Sequence, residues 1–214
     1  HDEYVEKIVS LCVPFKMMEN DNMLSSIDRQ LYPENEFPYG QWEYQIFYRE
    51  NFDKAKQSLE DNPRNTVKCL FRSGNAENLG KLANTAFVRK NNGWFKNGIA
   101  PDIALDESVL SRKELEIYSK YLSENGFFGP GSWYMNTELN NEYYMKAPIQ
   151  KLKKPTLFIH AKYDRVCDTC HTSLAEPMRE SCSNLKEATI ESGHWMAQEK
   201  PDDVNKIIKE WLAI

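Results

Sequence analysis

Apolar and polar positions divide the 214-residue chain into three stretches of different texture. Residues 4–13 end in a β-rich apolar run (Ile8, Val9, Leu11, Val13) stopped by Pro14, which predicts a buried strand. Residues 16–40 are polar and punctuated by Asn, Pro33, Pro38 and Gly40, and read as loop. The middle, from about 40 to 146, is helical in pattern. Asn62-Pro63 is a cap with Pro in the first turn, where a helix wastes no donor, and Val67, Leu70 and Phe71 then share a face. Ser111-Arg-Lys-Glu114 is a capping box; Leu115, Tyr118, Tyr121 and Leu122 follow at helical spacing until Gly126. The tail changes again. Residues 156–161 form a near-continuous apolar run, as in a parallel strand covered on both faces. A helix is expected from about Thr169 to Ser181 and a strand at 186–191. The last helix opens on Pro201, with Asp202 and Asp203 complementing its dipole and Val204, Ile207, Ile208, Trp211 and Leu212 on one stripe. Strand–helix–strand–helix implies right-handed parallel β-α units. Three such strands are too few to close a doubly covered sheet, so further polypeptide is expected to complete it.

Charge and cysteine usage narrow the class. With 27 basic and 32 acidic residues, net −5, the chain lacks the clustered cations that a nucleic-acid partner requires. Lys151, Lys153 and Lys154 read as a solvated linker. Five scattered cysteines make no disulfide framework and predict a reducing, cytoplasmic setting. No apolar run approaches the roughly 18 residues of a membrane span.

The residues with chemistry lie near the end. One apolar run delivers Asp164; a second strand-like run, Glu187 to Ile190, delivers Gly193-His194-Trp195. Acid then histidine is the order in which α/β-type hydrolases present the last two members of a nucleophile–acid–base triad. His194 is the candidate base and Asp164 the carboxylate that orients it. Asp164 also suits a turn or cap. Asp168 is the competing acid, but it reads as an N-cap for the next helix. No Gly-x-Ser-x-Gly and no glycine-flanked Asp or Cys precedes the pair, so the nucleophile is expected on polypeptide outside these residues. Cys167-Asp-Thr-Cys170-His171 spells a haem-attachment pattern but is set aside as packing residues in a strand-to-helix turn. Tyr44 and Tyr134 offer phenols to an oxygen gaining charge; on spacing alone a place in the core is the commoner role for both.

Together these pieces resemble the soluble epoxide hydrolases of the α/β-hydrolase superfamily. The resemblance rests on Tyr44-Gln45, Gly126-Phe-Phe-Gly-Pro130, Trp133-Tyr134-x-Asn136, Ala161-x-x-Asp164, Gly193-His194-Trp195 and Lys200-Pro201. It implies the C-terminal part of an α/β-hydrolase parallel sheet with an inserted helical cap: core strand segment 1–18, cap 19–150, core 151–214. It further implies a small-molecule epoxide substrate and no metal or organic cofactor. Tyr44 and Tyr134 would hydrogen-bond the epoxide oxygen. A carboxylate nucleophile on a missing N-terminal half would form an alkyl-enzyme ester, which His194 and Asp164 hydrolyse to a diol. The 214 residues alone would then be inactive. Two other readings stay open: a dehalogenase on the same scaffold, with Trp42, Trp94 or Trp133 as halide donors, and a binding module without catalysis.

Overall fold

The computed structural model describes residues 2–19, 22–146 and 151–213. In chain order its elements are β1 (Ile8–Leu11), α1 (Asn22–Ser25), α2 (Glu43–Glu50), α3 (Phe52–Glu60), α4 (Pro63–Leu70), α5 (Arg112–Asn125), α6 (Phe128–Ser132), α7 (Thr137–Lys146), β2 (Thr156–Ala161), α8 (Glu176–Ser181), β3 (Leu185–Ile190), α9 (Met196–Glu199) and α10 (Pro201–Leu212). The chain divides into two compact units. A sheet unit comprises His1–Ile27, Gly74–Leu79 and Asn140–Ile214; a helical unit comprises Asp28–Ser73 and Gly80–Leu139. The expected cap boundary at residue 150 lies outside the described residues.

In the sheet unit the strand order is β1-β2-β3, all parallel, with Ile8 opposite Thr156 and Ala161 opposite Ile190. All six residues of β2 are buried, because side chains alternate between two covered faces. On one face Leu157, Ile159 and Ala161 pack with Ile190, Met196, Val204 and Trp211. On the other, Phe158 packs with Ala175, Met178 and Cys182. The α10 stripe is as expected except at Leu212, which points to solvent. Strand β1 is half-buried rather than buried, since it pairs on one side only among the described residues. The expected helix from Thr169 begins instead at a 3-10 turn, Ser173–Ala175, capped by Thr172, with Pro177 in the first turn of α8. Asp168 accordingly caps no helix. Its carboxylate accepts the Cys170 and His171 N–H groups and bonds the His171 ring, closing a turn of its own.

In the helical unit the sequence caps are in place. Asn62 Oδ1 accepts the Asn65 N–H at 3.0 Å. Ser111 and Glu114 bond reciprocally, and Gly126 ends α5 at φ +69°, a conformation that favours glycine. Tyr121 departs from its expected core stripe and is exposed; Leu115 and Ser119 are the buried residues of α5. The helical pattern also breaks over residues 71–111, where the chain is irregular apart from 3-10 turns at Ala76–Asn78 and Asn84–Phe87. Side chains hold it there in place of a helical ladder. Asp106 accepts from the backbone and hydroxyl of both Ser73 and Ser108. Burial would raise the Asp106 carboxyl, but those bonds outweigh it and hold it down at about 2. Arg89 forks onto Glu50 and reaches the buried Glu43. Among the described residues, no helix is long and apolar enough to cross a membrane.

Candidate active site

Two neighbouring strand ends of the sheet unit carry the site. Beyond β2 and β3 the chains stay paired: Lys162 N–H donates to Ile190 O and Tyr163 N–H to Ser192 O, both at 2.9 Å. The loops that follow are thereby held side by side, and their polar residues meet. Asp164 is 3% exposed. One oxygen accepts the N–H groups of Val166 (2.9 Å) and Cys167 (3.0 Å), so the turn function that sequence allowed it is also present. The other oxygen lies 2.6 Å from His194 Nδ1. His194 is half-buried, with its side chain 39% exposed and Trp195 edge-on to its ring.

The electrostatics follow from this packing. Burial would push the Asp164 carboxyl up, but the imidazole bond and two backbone donors hold it below its ordinary value. An ionised carboxylate only accepts, so Nδ1 carries the proton and Nε2 is left as the basic nitrogen. For His194, burial pulls the imidazole down, and the bond and charge of Asp164 outweigh it, leaving the group raised above 6.5. The sign of the resulting pH dependence is fixed. A raised histidine stabilises the fold below its unfolded value, and that contribution is lost as pH rises through the folded value. The depressed Asp164 contributes above the unfolded carboxylate value and loses it as pH falls through its folded one. A histidine that takes a proton must first be neutral, so the acid limb of any rate that depends on His194 in that way is expected above pH 6.5. A pH–rate profile with its acid limb at or below 6.5 would contradict the pairing.

Sequence reading did not foresee Cys12. It follows β1, adopts φ +60°, and donates its thiol to His194 O at 3.2 Å. Burial, and then the Asp164 charge, push the thiol up to about 12, so it stays protonated and acts as a donor. One ligand atom each from Cys12, Asp164 and His194 lies within 4.8 Å of the others, which makes them the grouping with metal-ligand spacing among the described residues. The Asp164–His194 hydrogen bond already occupies one of the carboxylate oxygens and Nδ1 of the imidazole. Cys12 could not have been found from sequence, since 152 residues separate it from Asp164 (164 − 12).

Tyr44 and Tyr134 come together in the helical unit. Tyr44 is a buried residue of α2, and Tyr134 sits in the 3-10 turn Trp133–Met135. Their rings are edge to face at 5.3 Å, and Tyr134 stacks on Tyr48 at 5.2 Å. Gln45 Nε2 donates to the Tyr44 hydroxyl oxygen at 3.0 Å, so that oxygen is used as an acceptor and the phenol is oriented. Of the tryptophans considered as halide donors, Trp94 gives its indole N–H to Tyr48, Trp133 is 80% exposed and Trp42 is fully buried.

No protein-family model matches the chain. Among curated proteins, it is 28% identical to bifunctional epoxide hydrolase 2 of Mus musculus over 216 residues, covering 99% of this chain and 35% of that protein. Against the Rattus norvegicus protein of the same name, identity is 32% over 170 residues, covering 79% of this chain and 29% of the relative. The chain thus spans about a third of the length of these relatives. Among solved structures, epoxide hydrolase A of Mycobacterium thermoresistibile superposes with a TM-score of 0.70 at 20% identity, over 100% of this chain and 63% of that one.

Proposed function

We propose that this chain, which resembles the epoxide hydrolases and has their α/β-hydrolase fold, carries the base, the orienting acid and the two oxygen-binding phenols of an epoxide hydrolase. The observation that carries this reading is the 2.6 Å bond between Asp164 and His194 at adjacent parallel strand ends, with Nε2 left basic. The similarity to named epoxide hydrolases selects the substrate class.

On this reading a carboxylate supplied by polypeptide outside these residues attacks a ring carbon of the epoxide. The carbon–oxygen bond breaks, and the leaving alkoxide takes a proton from Tyr44 or Tyr134. His194 Nε2 then removes a proton from water, whose oxygen attacks the ester carbonyl. The tetrahedral intermediate collapses, the departing alkoxide takes the proton held by His194, the second water proton returns to the phenolate, and the diol leaves with the carboxylate restored. Asp164 holds the imidazole in the required tautomer and stabilises its charged form. No metal or organic cofactor enters. The 214 residues by themselves are inactive on this reading, and the odd cysteine count favours a cytoplasmic setting.

Assaying the intact protein with an epoxide and with a bromoalkane tests the assignment. Diol from the first and no bromide from the second are expected; the reverse would move the protein to the dehalogenases. The indole of Trp94, already spent on Tyr48, favours the epoxide. Tyr44→Phe and Tyr134→Phe are each expected to slow ring opening by roughly 10–100-fold, since each loses a donor that strengthens in the transition state. Single-turnover alkylation rates measure this directly. Wild-type rates in both variants would remove the phenols from the mechanism.

A further inference from the structure

We propose that Glu199 is the positioning residue of the His194 loop, its carboxylate tying that loop to the segment Gly74–Leu79 and so setting how the imidazole meets Asp164. This rests on the reading of His194 as the base. One oxygen of Glu199 accepts two backbone donors: Gly193 N–H at 2.8 Å and Gly74 N–H at 3.2 Å. Gly193 is the residue immediately before His194.

The surrounding backbone is built for this bond. A side-chain carbon at Gly74 would sit 2.4 Å from the Gly193 backbone, and one at Gly193 would sit 2.7 Å from Gly74 N. Two main chains therefore run in direct contact, which only glycine at both positions allows. Their N–H groups converge on one acceptor, and a carboxylate is the acceptor that bonds both strongly. Glu199 stands on a fixed platform. It ends α9, whose Met196 is buried in the sheet core against Ile190, Val204 and Trp211. On the far side of His194, the Cys12 thiol holds the carbonyl. The backbone around His194 is thus bonded on both sides, at Gly193 N–H and at His194 O, which fixes where its side chain leaves the chain. Such a residue touches no substrate. It acts by keeping the base within the fraction of an ångström that proton transfer demands.

The test compares Glu199→Ala, Glu199→Gln and Glu199→Asp in the intact protein. Glutamine keeps an oxygen that can accept both N–H groups; alanine removes the acceptor; aspartate keeps the charge but falls one methylene short. In Glu199→Ala, breakdown of the covalent intermediate is expected to slow by roughly 10–100-fold, while KM and the rate of its formation stay within about threefold. Glu199→Gln should recover most of the loss. The imidazole titration of His194, followed by NMR, should move down in Glu199→Ala as the bond to Asp164 loosens, and should stay in place in Glu199→Gln. Should the alanine variant not fold, Glu199→Asp is expected to show the same selective slowing and the same shift. A folded alanine or aspartate variant with wild-type breakdown and an unmoved imidazole titration overturns the proposal. The titration needs no epoxide, so it decides the role of Glu199 even for a protein found to act on another substrate.

Discussion

Replacing His194 with alanine is expected to stop turnover and to leave a substrate-derived ester on the protein. The two halves of the proposed reaction use different groups. Ring opening draws on the carboxylate and on the phenols of Tyr44 and Tyr134; ester hydrolysis draws on His194 and Asp164. Without Nε2 no group bonded to Asp164 remains to take the proton of water, and general-base assistance of this kind is worth about 10²–10⁴-fold. Formation of the ester should continue. Quenching the intact His194→Ala protein after mixing with an epoxide, and weighing it by mass spectrometry, should show an adduct of the epoxide's mass that persists for many wild-type turnover times. Diol release at the wild-type rate would sink the assignment of His194. The variant also strands the Asp164 carboxylate, 3% exposed, with its two backbone donors alone. A stability loss of about 1–3 kcal/mol is expected from that, so folding is to be checked alongside.

Asp164→Asn is expected to be nearly as severe for a different reason. The amide oxygen can still accept the Val166 and Cys167 N–H groups, which keeps the turn. The amide nitrogen then faces His194 Nδ1 where the carboxylate oxygen lies at 2.6 Å in the native chain. An N–H donor there drives the imidazole into the tautomer with its proton on Nε2, and the base is lost. In a serine protease the corresponding change costs about 10⁴-fold. The pH dependence should shift as well. Burial alone pulls the imidazole down once the opposing Asp164 charge is gone. The residual rate of Asp164→Asn should therefore have its acid limb at or below 6.5, against a wild-type limb above it. A variant whose limb stays where the wild type has it would show that Asp164 does not set the ionisation of His194.

Much of this arrangement is legible in the sequence because local periodicity carries it. The run Thr156–Ala161 is near-continuously apolar because both faces of β2 are covered, and that signal survives without any partner in view. Asp164 and His194 are legible because each closely follows a strand-like run, though β3 is partly exposed where β2 is buried throughout. Helix α5 announces itself through its capping box and Gly126, which are contacts within a few residues. Burial and irregular structure are less legible, because they depend on what lies across the fold. Tyr121 keeps helical spacing yet faces solvent. Residues 71–111 contain helix-compatible stretches whose backbone is held instead by bonds from distant side chains, Ser73 to Asp106 among them. Cys12 and Glu199 were silent for the same reason. A thiol at the end of β1 and a carboxylate at the end of α9 gain meaning only when the strands are laid in order, and the register that does so joins residues about 150 apart. Gly74 has no local role as a turn; its lack of a side chain matters only to a backbone 119 residues further on (193 − 74).

The helical unit is not one uninterrupted piece of sequence. It runs from Asp28 to Ser73 and resumes at Gly80, and the six residues between belong to the sheet unit. Exchanging residues 28–139 in a single cut would remove Gly74 together with the helical unit. Two shorter exchanges on either side of that retained hexapeptide respect the architecture. Domain-shuffled chimaeras made both ways should differ in how well they hydrolyse an ester they have already formed.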